Sequence, residues 1–328
     1  MYRHLLISLC IVLAGVAVVS AEDGDGGYAA AFLQVPIGAR PTGMGGAFIA
    51  VSDDGAAAFY NPAGIAALHK PMFSTSYRAM SLDRSLGYVG IMFPTRGNSS
   101  LGFNWLYAGS GSVEARNSDG DPLGYDFTQH NHAISVIFAK RFENYASAGF
   151  RGTYLHSQFA EMSAFTVSFD LGFMFYFSQL YDRDVRETIF VQDIQAGIVV
   201  RNLAATYKWN NENYLREHIG PDAIASDKED KVPMAFGFGS SARFFKRKLL
   251  LDTDLLKSEQ HDFAVHAGAE FFITPQFAVR GGYSDKSLTA GTGYVFKFGN
   301  RVLAVDYAFS SAKVDEGSEH IFSFDLLF

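Results

Sequence analysis

The sequence predicts an all-β fold: a closed antiparallel transmembrane β-barrel of about 14 strands, with a helical or irregular N-terminal plug in its lumen. Three observations favour this fold. The 328 residues are 48% hydrophobic and 15% aromatic but only 19% charged. Long segments alternate between apolar and small or polar side chains, which is the period of a β-strand. A signal-peptide pattern opens the chain, and no later apolar run reaches the roughly 20 residues of a membrane-spanning helix.

The composition excludes several other classes of protein. Disorder is excluded because so much apolar and aromatic surface must be buried. A disulfide or metal scaffold built on cysteines is excluded because the chain has one cysteine. The net charge of −7 argues against a nucleic-acid partner, since such a protein needs a basic surface to displace counterions from phosphates.

Residues 1–21 are predicted to be a cleaved signal peptide. Arg3 precedes an almost wholly apolar run, Leu5–Val19, and Val19-Ser20-Ala21 supplies the small side chains that signal peptidase requires before Glu22. This pattern predicts export. Together with the strands described next, it predicts a location in the bacterial outer membrane, with outer-membrane lipid as one partner.

The alternation is clearest in residues 164–178. One face carries Phe165, Val167, Phe169, Leu171, Phe173, Phe175 and Phe177. A soluble β-sandwich also alternates, but its second face would meet water and would be rich in Lys, Glu and Thr. Here the second face is mostly Gly, Ala and Ser. Several segments reach ten residues, enough to cross hydrocarbon at a tilt and longer than the roughly five or six residues of sandwich strands. The barrel is therefore favoured over the sandwich.

The barrel is predicted to span residues 71–328. The strand-like segments lie near 71–80, 85–93, 99–108, 131–140, 145–156, 164–178, 188–202, 232–244, 248–257, 263–273, 277–284, 288–297, 301–311 and 319–328. An even number is expected of a single-chain bacterial barrel. If the C-terminus is periplasmic, the tight turns lie on the periplasmic side of the membrane. The two longest connections, about 109–130 and 203–231, then lie on the extracellular side. The final Phe328 also resembles the C-terminal signal read by the outer-membrane barrel assembly machinery.

Charged residues on the non-lipid face of these strands are predicted to point into the lumen. They are Arg151, Asp170, Arg201, Arg243, Asp252, Asp254, Glu270, Arg280, Asp306 and Asp325. A mid-depth charge facing lipid would cost about 2–4 kcal/mol for Arg, so this segregation supports the register. An ion-selective pore would show rings of one sign. Mixed signs favour internal ion pairs or anchors for a plug, with a direct ligand role as the alternative.

Residues 22–70 are predicted to be the plug. They are not strand-like and contain a glycine-rich motif whose marked positions are Gly38, Arg40, Met44, Gly45, Asp53, Asp54, Asn61, Pro62 and Gly64. Asn61 followed by Pro62 predicts a helix start, and Ser52 or Asp53 is expected to cap another short helix. A phosphate-binding loop is the rival interpretation of the glycines. It fails because no Gly-Lys-Ser/Thr ends the motif.

The motif Gly38-Ala39-Arg40, Met44–Phe48, Asp53-Asp54 and Asn61–Gly64 resembles the N-terminal signature of the PorV/PorQ group, within the FadL-like outer-membrane barrel superfamily. Shorter segments such as Arg280–Tyr283 resemble strand motifs of the same group. The resemblance implies a fourteen-stranded barrel with an N-terminal hatch. In FadL-like proteins such barrels pass hydrophobic molecules, whereas PorV-type barrels dock cargo or partner proteins in type IX secretion. No ligand-pocket residue can be carried over individually.

Other chemistry receives little support. His130 and His132 share one strand face at the predicted outer rim, but no third ligand is evident, so no metal site is predicted. His266 and Glu270 both point inward, with backbones about 13 Å apart along a strand. No Ser lies beside a His with an orienting acid, so no enzyme activity and no cofactor are predicted. The leading expectation is a barrel that admits small hydrophobic molecules past a hatch; the alternative is docking of secretion-system proteins.

Overall fold

The computed structural model describes residues 28–117, 119–180, 190–212, 214, 216, 228–260, 263–284, 287–311 and 317–328. The signal peptide predicted for residues 1–21 lies outside this part of the chain. The described N-terminal residues form two 3₁₀ helices, Ala31–Gln34 and Pro62–Ala67, and two short α-helices, α1 (Ala39–Gly43) and α2 (Ala57–Tyr60). No helix among the described residues has the length and apolarity to cross a membrane.

Strands make up nearly all of the chain that follows. Their bounds are β1 Met72–Ala79, β2 Ser85–Thr95, β3 Ser99–Gly109, β4 Val113–Arg116, β5 Pro122–Phe127, β6 Gln129–Phe142, β7 Ala146–Phe159, β8 Met162–Tyr176, β9 Val191–Leu203, β10 Thr206–Asn210, β11 Lys228–Lys231, β12 Ala235–Phe244, β13 Leu249–Ser258, β14 Ala264–Phe272, β15 Phe277–Ser284, β16 Ser287–Phe298, β17 Arg301–Ser310 and β18 Glu319–Leu327.

These strands close into an antiparallel barrel. Each barrel strand pairs with the next along the chain, and β1 pairs with β18 from Met72 opposite Leu327 to Ala79 opposite His320. Closure gives each strand of the wall a neighbour on both sides, so the backbone groups of the wall are paired without water. The predicted fold is confirmed: the barrel has 14 strands, and every segment predicted from the sequence is one of them.

The two faces of the wall differ as the alternation predicts. In β8, the side chains of Phe165, Phe169 and Phe173 are exposed on the outside, whereas Ser168 and Asp170 are buried inside. Around the barrel, large apolar side chains cover the outside, whereas the lumenal face carries small, charged and buried apolar side chains. The lumen can hold charges because the N-terminal residues fill it and supply partners.

The two ends of the barrel also differ. We call the end with the turns 96–98, 245–248 and 299–300 the short-turn end, and the opposite end the long-loop end. The connections 110–128 and 204–234 both lie at the long-loop end and contain strands that the sequence pattern did not predict. β4 and β5 form a separate hairpin, while β10 and β11 extend the edge of β8.

The wall is irregular where β9 leaves β8. Their register shifts between Phe169 and Leu171, and beyond that point β8 pairs with β10, with Lys208 opposite Phe165. The Asp170 carboxylate accepts a hydrogen bond from the Asn202 backbone N at 2.9 Å, which satisfies a donor that the shift takes out of the ladder. One lumenal carboxylate therefore stabilises the bulge.

Candidate functional site in the barrel lumen

Residues 28–70, which we call the N-terminal segment, lie inside the barrel in contact with its wall. The sequence explains the local turns. Asn61 caps the second 3₁₀ helix by accepting from Ala63 N at 3.1 Å, with Pro62 at the first helical position, as predicted. The predicted Ser52 or Asp53 cap is wrong. Ser52 instead donates to the carbonyl of Phe48 at 2.8 Å, so it closes the turn that precedes α2.

Wall glycines allow the backbone of the N-terminal segment to approach closely. A Cβ on Gly149 would lie 2.3 Å from Ala63 N, and one on Gly172 would lie 2.1 Å from Asn61 Oδ1. On the opposite wall, a Cβ on Gly282 would lie 2.2 Å from Gly45 N. These distances are far below van der Waals contact, so these wall positions require glycine for the observed fit.

Backbone hydrogen bonds tie the segment to several strands. The Asp254 carboxylate of β13 accepts from Phe48 N at 2.7 Å and Ile49 N at 2.9 Å. His266 Nδ1 of β14 lies 2.7 Å from the carbonyl oxygen of Gly45. These bonds satisfy main-chain groups that would otherwise be buried without partners. His266 and Glu270, which the sequence places on one face, therefore hold different parts of the segment and do not act as a pair.

A chain of ion pairs crosses the lumen through Arg40. Arg40 Nε and Nη2 each donate to Glu270 of β14 at 2.9 Å, and Glu270 Oε1 also accepts from Arg280 Nε at 2.8 Å. Arg280 continues to Asp306 of β17 at 2.6 Å, while Arg40 Nη1 donates to Asp53 at 2.5 Å. Glu270 has no exposed surface. Removing Arg40 would therefore leave the buried Glu270 carboxylate with Arg280 as its single charge partner, and Arg280 is shared with Asp306.

The chain of ion pairs continues from Asp53 to the short-turn end. Arg243 Nη2 of β12 lies 3.2 Å from Asp53, and Arg243 Nε lies 3.8 Å from Asp193 of β9. Asp193 also pairs at 2.7 Å with Arg247, whose side chain is largely exposed. Four of the predicted lumenal charges thus lie on one path from β17 through the N-terminal segment to the rim: Arg243, Glu270, Arg280 and Asp306.

Arg40 and Asp54 of the segment have altered pKa values. Burial lowers the pKa of Arg40, but Asp53, Glu270 and Asp54 outweigh it and hold that pKa well above its usual value. Burial raises the pKa of Asp54 well above its usual value, and the nearby Asp325 carboxylate raises it further. Arg40 therefore stays charged, while Asp54 resists ionisation.

A second set of lumenal charges surrounds the ring of Phe59. Arg151 pairs with Asp170 at 2.5 Å, and its guanidinium carbon lies 5.4 Å from the Phe59 ring centroid. Arg201 donates to the carbonyl of Tyr60 at 2.6 Å and lies 6.0 Å from the same ring. These arginines act as structural anchors for α2.

Asp252 is the exception among the lumenal charges. It is 1% exposed, yet neither carboxylate oxygen has a hydrogen-bond partner among the described residues.

Arg78 is a lumenal charge that the sequence analysis did not identify. It lies inside β1, pairs with Glu319 and donates to the carbonyl of Pro36 at 2.8 Å. The alternation of β1 could have identified it, because Arg78 follows Ser76 by two residues and therefore shares its lumenal face.

The long-loop half of the lumen contains an apolar chamber. Phe32 and Leu33 of the first 3₁₀ helix lie buried in it. The wall residues of the chamber are Leu86, Leu106, Ala133, Leu155, Ala164, Tyr207 and Val232. A small cavity of about 10 Å³, roughly the space that one water molecule needs, lies beneath Leu33 and reaches the polar side chains of Asn104, Ser135 and Thr153.

Tyr207 gives the chamber one polar group. The Tyr207 side chain is 1% exposed, and its hydroxyl has no hydrogen-bond partner among the described residues. The sequence did not identify Phe32, Leu33 or Tyr207 as site residues. Phe32 and Leu33 precede the glycine motif, and Tyr207 lies in a connection whose pattern does not predict which way a side chain points.

The predicted histidine pair lies on the outside of the barrel at the long-loop end. Trp105 Nε1 donates to His132 Nδ1 at 3.2 Å, and the Tyr107 hydroxyl lies 2.8 Å from His130 Nδ1. The His156 ring centroid lies 6.2 Å from that of His132. Aromatic and amphipathic rings at this level are typical of a membrane interface. The described residues contain no cluster of three or more metal-ligating side chains.

Solved structures with this architecture include monoaromatic hydrocarbon channels and a FadL homologue. The TodX deltaS2S3 mutant monoaromatic hydrocarbon channel is 10% identical over 89% of this chain and 98% of its own, with a TM-score of 0.59. The CymD monoaromatic hydrocarbon channel is 11% identical over 89% and 98%, also with a TM-score of 0.59. A Pseudomonas aeruginosa FadL homologue is 12% identical over 87% and 96%, with a TM-score of 0.54. The chain shares their fold.

Comparison of sequences adds no further relative: no protein-family model matches the chain, and no curated protein matches it significantly. The three solved structures support the broader part of the resemblance, the FadL-like barrel fold. None of them is described as a secretion component, so the narrower resemblance of the N-terminal motif to the PorV/PorQ group stays a prediction.

Proposed function

We propose that this chain is an outer-membrane channel that admits small hydrophobic molecules, and that the N-terminal segment is its hatch. In this proposal residues 1–21 are removed on export, residues 22–70 form the plug and residues 71–328 form the barrel. The observation that carries the proposal is the apolar chamber inside the long-loop half of the lumen, filled by Phe32 and Leu33.

The chamber explains why a barrel of this kind would favour apolar solutes. A hydrophobic molecule crosses a layer of charged headgroups and sugars poorly, because it must enter a polar medium. An apolar chamber lowers that barrier. Phe32 and Leu33 occupy the chamber as an intramolecular substitute, so a ligand enters when these two side chains leave.

The closed state is stabilised by the contacts already described. The Arg40–Glu270 ion pair and the Asp254 hydrogen bonds hold the middle of the N-terminal segment, whereas Phe32 and Leu33 are held by apolar contacts alone. Residues 28–35 can therefore move without breaking the buried ion pairs. The hatch motion we propose is confined first to this N-terminal end.

Tyr207 indicates the chemical class of the ligand. A buried hydroxyl without a partner carries a desolvation cost of about 1–3 kcal/mol, which an acceptor on the ligand would remove. We therefore propose a mainly apolar ligand with one hydrogen-bond acceptor, such as a carbonyl or hydroxyl oxygen. The Tyr207→Phe variant should bind such a ligand less tightly while its affinity for a pure hydrocarbon stays the same.

The test uses vesicles with lipopolysaccharide in the outer leaflet, which slows passive entry, and radiolabelled toluene and a long-chain fatty acid as probes. Wild-type protein should increase uptake of at least one probe. Ala133→Phe fills the chamber and should reduce that uptake. Ile134→Phe, one residue away on the outside of β6, is the matched control and should leave it unchanged. No gain in uptake with either probe, and no change on deleting residues 28–70, would refute the proposal.

A further inference from the structure

The short-turn end of the barrel carries an excess of positive charge among the described residues. The basic residues at this end are Lys70, Arg96, Lys140, Arg141, Lys246, Arg247, Lys248, Lys297 and Arg301. The acidic residues described at the same end are Glu143, Asp193 and Asp53, and Asp53 pairs with Arg243 at 3.2 Å. We call the basic set the basic rim.

Most of the basic rim has no ion partner within the protein. Arg247 pairs with Asp193, Arg141 lies 4.6 Å from the ring centroid of Tyr176, and Lys70 donates to the carbonyl of Asn300. The other six make no ion pair with the described residues, and all six are exposed: Arg96, Lys140, Lys246, Lys248, Lys297 and Arg301.

The long-loop end shows the opposite pattern. There Lys208 pairs with Glu229 at 3.0 Å and Lys231 with Glu259 at 2.6 Å. Arg116 and Arg216 pair with Glu114 and Glu212, each at 2.6 Å. Basic residues at that end are thus largely neutralised by the protein itself. Among the described residues, most of the unpaired positive charge therefore lies at the short-turn end.

The register places two basic rim residues on the outward face of the wall. Lys140 lies on the same face of β6 as Phe138 and Phe142, both of which are exposed. Arg301 lies directly opposite Phe298 in the β16–β17 ladder, and Phe298 is also exposed. A charge between phenylalanines at the end of a strand is stable where its head reaches the lipid headgroups while the rings stay in hydrocarbon.

We infer that the basic rim binds the phosphate groups of anionic glycerophospholipids in the leaflet at the short-turn end. Several turns around the barrel contribute to the rim: 96–98, 245–248 and 299–300 as well as the β6 end. Lipid headgroups surround a barrel on all sides, as these turns do, whereas a soluble acidic protein would be expected to contact one side of it. The inference goes beyond the proposed function, because it concerns the outside of the barrel and does not depend on any cargo.

The experiment measures lipid retention by native mass spectrometry after reconstitution in nanodiscs of phosphatidylcholine and phosphatidylglycerol. The test variant is Arg96→Gln, Lys140→Gln, Lys248→Gln and Arg301→Gln. The matched control removes the same number of charges at the other end, through Lys208→Gln, Lys228→Gln, Lys231→Gln and Lys257→Gln. A charge-conserving variant, Lys140→Arg with Arg301→Lys, shows whether charge or shape is recognised.

Wild type, the control and the charge-conserving variant should all retain phosphatidylglycerol in preference to phosphatidylcholine. The test variant should lose this preference by about five-fold or more, and high salt should weaken it in wild type. A parallel reconstitution with lipid A replaces the glycerophospholipid. Equal retention by test variant and wild type, equal loss in the control, or a rim-dependent preference for lipid A over phosphatidylglycerol would overturn the inference.

Discussion

Arg40 and Glu270 form a two-point ion pair in which Nε and Nη2 of the guanidinium face the two carboxylate oxygens, each at 2.9 Å. The pair joins the N-terminal segment to β14 across more than two hundred residues of chain. Because Glu270 is fully buried and also binds Arg280, the pair sits within a charge-balanced group.

Replacing Arg40 with Met should release the middle of the N-terminal segment while the barrel stays folded. Leaving Glu270 with one partner should reduce the free energy of local opening by about 3–5 kcal/mol. Hydrogen exchange of the backbone amides of residues 43–46 measures that free energy. Arg247→Met is the control, since its side chain is largely exposed, and it should change the value by less than about 1 kcal/mol. Similar losses in both variants would contradict this account.

Gly282 and Gly281 offer a direct test of the close approach between wall and segment. A Cβ on Gly282 would fall 2.2 Å from Gly45 N, whereas a Cβ on Gly281 would meet nothing within 4 Å. Gly282→Ala should therefore cost about 1–3 kcal/mol through forced displacement, and Gly281→Ala should be nearly neutral. Urea unfolding of both variants, followed by tryptophan fluorescence, compares them. Equal stabilities would show that the segment does not pack here as described.

Asp254 and Asp252 point into the lumen from the same face of β13 but make different contacts. Asp254→Ala removes the acceptor of two buried amides and should cost about 1–3 kcal/mol for each amide. Asp252→Ala removes a buried carboxylate without hydrogen-bond partners and should be neutral or stabilising. The measurement is the free energy of unfolding of each variant. A larger loss for Asp252→Ala would mean that its carboxylate has a partner that the structure does not contain.

Because of Asp54, the free energy of local opening of the N-terminal segment should fall as the pH rises. Burial and Asp325 raise the pKa of Asp54 in the folded state. The stability that the protonated side chain contributes is therefore fully present below about pH 3.8, and it is lost as the pH rises through the folded-state pKa. Asp54→Asn cannot ionise, and its advantage over wild type should therefore grow from pH 4 to pH 8. Hydrogen exchange at several pH values follows this difference. A wild-type profile parallel to that of Asp54→Asn would count against the raised pKa, and Glu143→Gln, in an exposed turn, serves as the parallel control.

The wall could be predicted from the sequence because its signal is local. A residue such as Phe169 or Asp170 occupies a face determined by parity alone, and burial in lipid or lumen follows from that face. The same parity puts Glu270, Arg280 and Asp306 on the lumenal face, and in the structure these side chains form ion pairs with one another. Which of them pair could not be predicted, since pairing depends on how strands separated along the chain are staggered.

The N-terminal segment was harder to predict. Its glycines and Asn61-Pro62 indicate turns, but the partners of those turns are wall positions far along the chain, such as Gly172 and Gly282. The hairpin β10–β11 was missed because Tyr207 and Trp209 stand among polar residues without a long alternation. Its position follows from the shift between Phe169 and Leu171, a tertiary feature with no signature in the local pattern.

The meeting of β1 with β18 constrains how the molecule is made. Met72 and Leu327 are neighbours in the finished wall, and Phe328 N donates to the carbonyl of Pro71 at 3.2 Å, so the cylinder stays open until the last residues arrive. The N-terminal segment is synthesised first yet ends in the interior. The segment must enter the lumen before or while β1 and β18 pair, because a closed wall leaves access through the two ends of the barrel. The order of assembly is therefore constrained: the N-terminal segment enters the lumen no later than the step in which β18 closes the barrel.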